Sequence, residues 1–277
     1  MLAFSCRSSL AQPDSYTDKV SSTPDLTQTD VRAHFDQGGK NYCAPVAVSN
    51  SFVWLAEHGY PKLLPESHVN SYQAKILSKE EDLINRQIEL ARILGSTAFM
   101  NTKGEEGTEV DNVLLGIKGY VSQQGYRIKR LGYQGFRSLL SEFDMGSRRP
   151  RLEWLRQGIL GRSGVWLNIG WYRFNSQSRT YVRIGGHWVT LVGYGIDENN
   201  KPADNIFIIH NPAPKAGNEF HNDFIQLKPI EGVLVSRTGL RGFPRPAWGF
   251  YKIVSGLPPF ADCDTAILEG AVVLELY

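Results

Sequence analysis

Residues 35–56, FDQGGKNYCAPVAVSNSFVWLA, join a polar, glycine-bearing loop directly to an apolar segment. The apolar part contains Val46, Phe52, Val53 and Leu55, and Ala47, Trp54 and Ala56 cover the other sides. The stretch therefore predicts a helix buried all round, which belongs in the middle of a domain. Pro45 suits its first turn, where a missing N–H costs nothing. His58-Gly59-Tyr60-Pro61 supplies a glycine stop with a proline beyond.

Cys43 stands at the mouth of that helix. A thiol there meets the positive end of the helix dipole and unpaired backbone N–H groups, and both favour the nucleophilic thiolate. A free cysteine is also commonly a small buried hydrophobe, so position alone leaves both readings open. Gln37 precedes Cys43 by six residues, across a Gly38-Gly39 pair that lets the backbone fold back tightly. Its amide beside the Cys43 N–H would give two donors for the oxyanion of a tetrahedral intermediate.

Downstream, Ser78 with Glu80 and Glu81 in the first turn predicts a helix running to Leu94 and stopping at Gly95. Thr108 with Asp111 opens a third helix through Val110, Val113, Leu114, Ile117 and Tyr120, ended by Gly125. Two short helices are expected at 136–143 and 151–160. After Gly164 the character changes. VWLNIGWYRF, TYVRI, HWVTLVGYGI and IFIIHNP are rich in β-branched and aromatic residues and read as strands, with others at 224–227, 249–254 and 271–276. Helices first and strands second predict an α+β fold of one domain, residues 31–277. Its helical half is 31–160 and its β half 161–277, behind a flexible leader over 1–30.

His187 opens the strand HWVTLVGYG just after Gly185-Gly186, which would leave an open approach to a rigidly held general base. Asn211 follows the next strand, where its amide can bond one ring nitrogen and turn the other toward Cys43. Asp197 and Asp204 are acidic rivals in a polar loop. His210, adjacent to Asn211, points to the opposite strand face and reads as structural.

In this order, Gln37, Cys43 on a helix, His187 in HWVTLVGYG and Asn211 one strand later, the chain resembles the papain-like cysteine peptidases. The likeness is greatest to the bacterial branch related to the bacteriocin-processing, double-glycine leader peptidases. GVWLNIGWY also looks like the strand that precedes the catalytic histidine in that fold. The resemblance implies a two-lobed fold in which a helical lobe bearing Cys43 packs on an antiparallel β lobe. It implies a thiol peptidase with Gln37 as oxyanion donor, Cys43 as nucleophile, His187 as base and Asn211 as its orienting residue. Ala44-Pro45 after the nucleophile, Asn211 in place of that branch's aspartate, and a large helical insertion over 63–160 depart from the pattern.

The composition narrows the alternatives. A net charge of +2 gives no support for a nucleic-acid binder. No run of 18 apolar residues is present to span a membrane. Cys6, Cys43 and Cys263 form no disulfide framework and no CxxC zinc pair, so no metal and no cofactor is expected. His34, His58, His68 and His221 have no metal spacing. The expected partner is a peptide or protein substrate, with oligomeric state open. The start MLAFSCRSSLA has a small-residue patch like the tail of an export signal, which leans toward a periplasmic or secreted protein. Two other functions stay open: the same triad passing the acyl group to an amine, as in a transpeptidase or transglutaminase, or acting on a non-peptide amide; and a silent interaction module in which the helical insertion binds a partner.

Overall fold

A computed structural model of the chain describes residues 13–67, 77–104, 106–137, 140–213, 220–240, 242–258, 260 and 262–277. Cys6, His68 and the signal-like start lie outside them. The long apolar helix α1 spans Cys43–Glu57, with every side chain from Cys43 to Leu55 buried. Helix α2, Lys79–Gly95, begins at Ser78 in a reciprocal capping box with Glu81. Helix α3 is Val110–Gln123 and is capped from Glu109 without a side-chain bond. Helix α4 is the short Leu152–Ile159.

Among the described residues nine strands form one sheet: β1 Ile128–Gly135, β2 Ser163–Asn175, β3 Thr180–Ile196, β4 Pro202–His210, β5 Asp223–Pro229, β6 Val233–Ser236, β7 Arg245–Pro246, β8 Tyr251–Ser255 and β9 Thr265–Leu276. Strand β2 pairs antiparallel with both β3 and β9. Antiparallel pairing then continues β3–β4–β5–β8–β9, so six strands close into a hydrogen-bonded ring. Alternation along β2 divides the core. Val165, Leu167 and Ile169 face the cluster inside the ring with Val189 and Leu191, while Trp166 faces the cluster around α1. The fold is mixed α+β.

Three expectations are corrected. Residues 128–135 lie within the predicted helical half, yet β1 adds to the sheet beside β9, with Tyr133 opposite Val272. The helix predicted over 136–143 is replaced by a bend at 136–137 and a single 3-10 turn, Ser141–Phe143; residues 138–139 fall outside the description. The leader is packed, not flexible, from residue 13. Tyr16 exchanges both backbone bonds with Tyr194 at 3.0 Å, and Leu26 is buried against Phe35, Tyr42 and Val46.

Lys19 anchors this segment. Its Nζ donates to Ile159 O at 2.8 Å, Ser163 O at 2.6 Å and Ser163 Oγ at 3.0 Å, 4.4 Å from the centre of the Trp54 ring. Burial pushes its pKa down to about 7, whereas three acceptors and the indole face favour the ammonium form.

Helix α1 is fixed against the sheet by polar contacts. Ala47 O accepts Trp166 Nε1 at 3.0 Å and Thr190 Oγ1 at 2.7 Å. Asn50 Oδ1 accepts Gln87 Nε2 at 2.6 Å and Leu26 N at 3.3 Å. A helix with polar groups on a buried face needs partners on every side, and α2, β3 and the leader supply them. Among the described residues no helix is long and apolar enough to cross a membrane.

Candidate active site

The first turn of α1 carries Cys43, and its N-cap, Tyr42, makes no side-chain cap bond, so the first backbone N–H groups stay available. The N–H groups of Trp188, Ala44 and Cys43 itself act on the sulfur in favour of the thiolate. Burial is the larger effect: Cys43 is 9% exposed, and desolvation pushes the thiol up to about 11. The helix start and the burial thus act on the thiol in opposite directions, and burial prevails. The resting group is S–H.

His187 lies on β3 opposite Ile169 of β2. Its ring stacks on Trp171, with centroids 6.0 Å apart and planes 27° from parallel. Nε2 is 2.7 Å from Asn211 Oδ1, and Ala213 N donates to the same oxygen at 3.0 Å. An amide oxygen only accepts, so Nε2 carries the ring proton and Nδ1 keeps a free lone pair. Burial lowers the His187 pKa, and the Asn211 bond opposes that shift. The imidazole is therefore neutral at rest and competent as a base. Because the N–H of Trp188 acts on the sulfur, α1 and β3 bring Cys43 next to the residue adjoining His187.

The rival residues have other partners. Asp197 Oδ1 accepts the N–H groups of Asn199 and Lys201, each at 2.9 Å. Asp204 is exposed on β4. His210 is fully buried between Pro24 O at 3.1 Å and Asn222 Oδ1 at 2.9 Å, as its strand parity predicts.

Gln37 is placed differently from the other three. It is exposed within the turn Asp36–Gly39, where Gln37, Gly38 and Gly39 all have positive φ, 51°, 65° and 79°. Its amide nitrogen lies over Gly104, 2.8 Å from where a Cβ would stand. Asn41 Nδ2 donates to Gly104 O and joins the two loops. No described hydrogen bond turns the Gln37 amide toward Cys43.

A residue missed in the sequence couples the two sides of the site. Buried Gln28 receives no signal from its polar, leader-like surroundings. Its N–H donates to Pro212 O at 2.8 Å, and its Nε2 donates to Gly39 O at 3.0 Å and Lys40 O at 2.6 Å. It thus ties the loop that enters α1 to the turn holding Asn211. A Cβ on Gly39 would overlap the Gln28 carbonyl oxygen, so glycine is required there by space as well as by φ.

Gly186, exposed before His187, also lies against a buried ion pair. A Cβ there would sit 2.5 Å from Arg183 Nη2. Arg183 Nε and Nη2 donate to Glu269 at 2.6 and 3.2 Å, and Tyr172 OH donates to Glu269 Oε1 at 2.5 Å. The Arg183–Glu269 ion pair therefore lies against one side of Gly186, which is itself exposed. Among the described residues no three His, Cys, Asp or Glu side chains form a metal-sized cluster.

This electrostatic setting makes a kinetic prediction. Alkylation of Cys43 by iodoacetamide, followed by peptide mass spectrometry, should quicken about tenfold per pH unit above neutrality and level off only near the raised thiol pKa of about 11. A plateau already reached in acid would instead mean a preformed thiolate–imidazolium pair. No protein-family model and no curated protein matches the sequence.

Proposed function

We propose that the chain is a cysteine peptidase of the papain-like kind, in which a helical layer presents Cys43 to a strand ring presenting His187 and Asn211. The observation that carries this reading is the 2.7 Å His187–Asn211 bond, which leaves Nδ1 as the free acceptor on a residue whose neighbour, Trp188, sets its N–H against the sulfur of a cysteine at a helix N-terminus. As the sulfur attacks the peptide carbonyl, the S–H proton passes to His187 Nδ1 and the C–S bond forms. The oxyanion takes the Cys43 N–H, with the Gln37 amide as second donor once it turns from Gly104. Collapse breaks the C–N bond, and His187 returns its proton to the departing amine. Water, deprotonated by His187, then releases the acid and restores the thiol.

Asn211 holds the ring and stabilises the imidazolium that forms during attack. Asn211→Ala should lower kcat by about 10- to 100-fold, the loss of one hydrogen bond to a charged group, with little change in KM. The test of the activity is incubation with a proteome-derived peptide library and mass-spectrometric reading of new termini. New termini carrying a free carboxylate support hydrolysis; conjugates formed only when amines are added would show acyl transfer; no Cys43-dependent product would remove the proposal.

A further inference from the structure

Away from Cys43, arginines gather around the end of β1, the loop before α4 and β7. The Arg149 guanidinium is 4.4 Å from the Trp248 ring centroid and 6.0 Å from that of Phe250. Arg245 is 4.2 Å from Phe136 and 5.7 Å from Phe250. The two cations therefore share the Phe250 ring. Arg137, just after β1, acts electrostatically on the Tyr133 and Tyr172 hydroxyls, as does Arg245. Arg149 and Arg245 thus meet over one ring from two segments, and Arg137, from a third, lies near the same two tyrosines as Arg245.

Their acceptors are missing. Among the described residues none of the three forms an ion pair: Asp144 pairs with Arg148 at 3.4 Å and Glu269 with Arg183. Arg149 Nε and Arg137 Nη1 are buried without a hydrogen-bond partner. Arg245 has one long bond, Nη1 to Arg148 O at 3.4 Å. Arg148 and Arg149 repel it, and with burial they hold its pKa below the usual value. Stacking on aromatic faces orients guanidinium groups but satisfies none of their N–H donors, and buried donors normally have acceptors. A chain of net charge +2 concentrates here several positive charges with few carboxylates. An anion would supply the acceptors and cancel the repulsion. A planar carboxylate matches one guanidinium fork, whereas a tetrahedral oxyanion offers oxygens in several directions to donors arriving from different segments.

We propose that Arg137, Arg149 and Arg245, walled by Phe136, Phe250 and Trp248, form a binding site for a phosphate group. The site is independent of the peptidase reading and requires no turnover to test. Titration calorimetry and thermal unfolding of the full chain would use inorganic phosphate against sodium chloride at matched ionic strength. Phosphate should raise Tm by several degrees beyond the chloride control, by mass action on the folded state. Arg245→Gln and Arg149→Gln should each raise the phosphate Kd at least tenfold. Arg245→Lys, which keeps the charge and stem but loses the fork, should fall between and guards against a variant that fails to fold. A phosphoserine peptide and its unphosphorylated twin separate the sources. Tighter binding of the phosphopeptide than of phosphate points to a phosphorylated chain as ligand, and the reverse to a free anion. A Tm rise matched by chloride, or a Kd unmoved by both glutamine variants, overturns the proposal.

Discussion

Replacing Cys43 by alanine is expected to remove peptide turnover, a fall on the order of 10⁴-fold or more, while leaving the fold in place. Without the sulfur there is no acyl-enzyme, and the remaining oxyanion donors and base act only on a bound water. The change deletes one atom at a site that is 9% exposed, so its stability cost is small, about 1 kcal/mol. Circular dichroism and Tm close to those of the parent, with lost turnover, separate a chemical role from a structural one. The same variant should lose labelling by iodoacetamide and epoxide probes at this position, whatever the behaviour of Cys263, which is also a free buried thiol. Undiminished turnover in Cys43→Ala would falsify the nucleophile assignment. His187→Ala, with the thiol intact, should slow Cys43 alkylation near neutrality, because no base then assists loss of the S–H proton.

The largest stability effect is expected at Glu269. This carboxylate is fully buried and is bonded by Arg183 and Tyr172. The 11%-exposed Arg183 side chain would keep its charge when the carboxylate goes. Glu269→Ala should therefore cost about 3–5 kcal/mol in urea unfolding. Removing both charges with residues of similar volume, Arg183→Met with Glu269→Leu, should recover much of that loss, since the penalty is an uncompensated charge and not the pair's own attraction. A single-variant loss below about 1 kcal/mol would show that Arg183 finds water or another acceptor. Gly170 and Gly186, paired across β2 and β3, are the positions where a Cβ would collide with Glu269 and Arg183. Disturbing the ion pair thus also disturbs the strand that carries His187, and some loss of Cys43 reactivity should accompany the loss of stability.

Local rules read from the chain located α1, α2 and α3, because each carries its own signals. Apolar residues recur at helical spacing, Ser78 and Glu81 make a cap, and Gly59 and Gly125 stop their helices in positive-φ conformations. The same rules located Cys43 at a helix start, His187 in a strand and Asn211 after the next, since each position is defined by the element that carries it. They failed where a residue's state depends on a distant partner. The segment IKRLGYQG shows no clean alternation and becomes β1 only because β9, from the other end of the chain, pairs with it. TYVRI and HWVTLVGYGI merge into the single strand β3 because β2 pairs across their junction, from Thr180 to Thr190, through a bulge at Trp171 and Tyr172.

The chemistry divides in the same way. Residue types and order suffice to nominate a thiol, an imidazole and an amide, because nucleophile, base and orienting group are properties of side chains. Their protonation is set by packing. The helix dipole is local and argues for a thiolate, but the desolvation that holds the Cys43 proton comes from residues far away in sequence. Gln28 lies among polar residues typical of a loose leader, yet the fold places it between Gly39 and Pro212, 184 residues beyond it. Hydrophobic period, caps and glycine stops act over a few residues and survive in the sequence. Burial, ion pairing and the closing of a strand ring are decided between segments that meet only when the chain has folded.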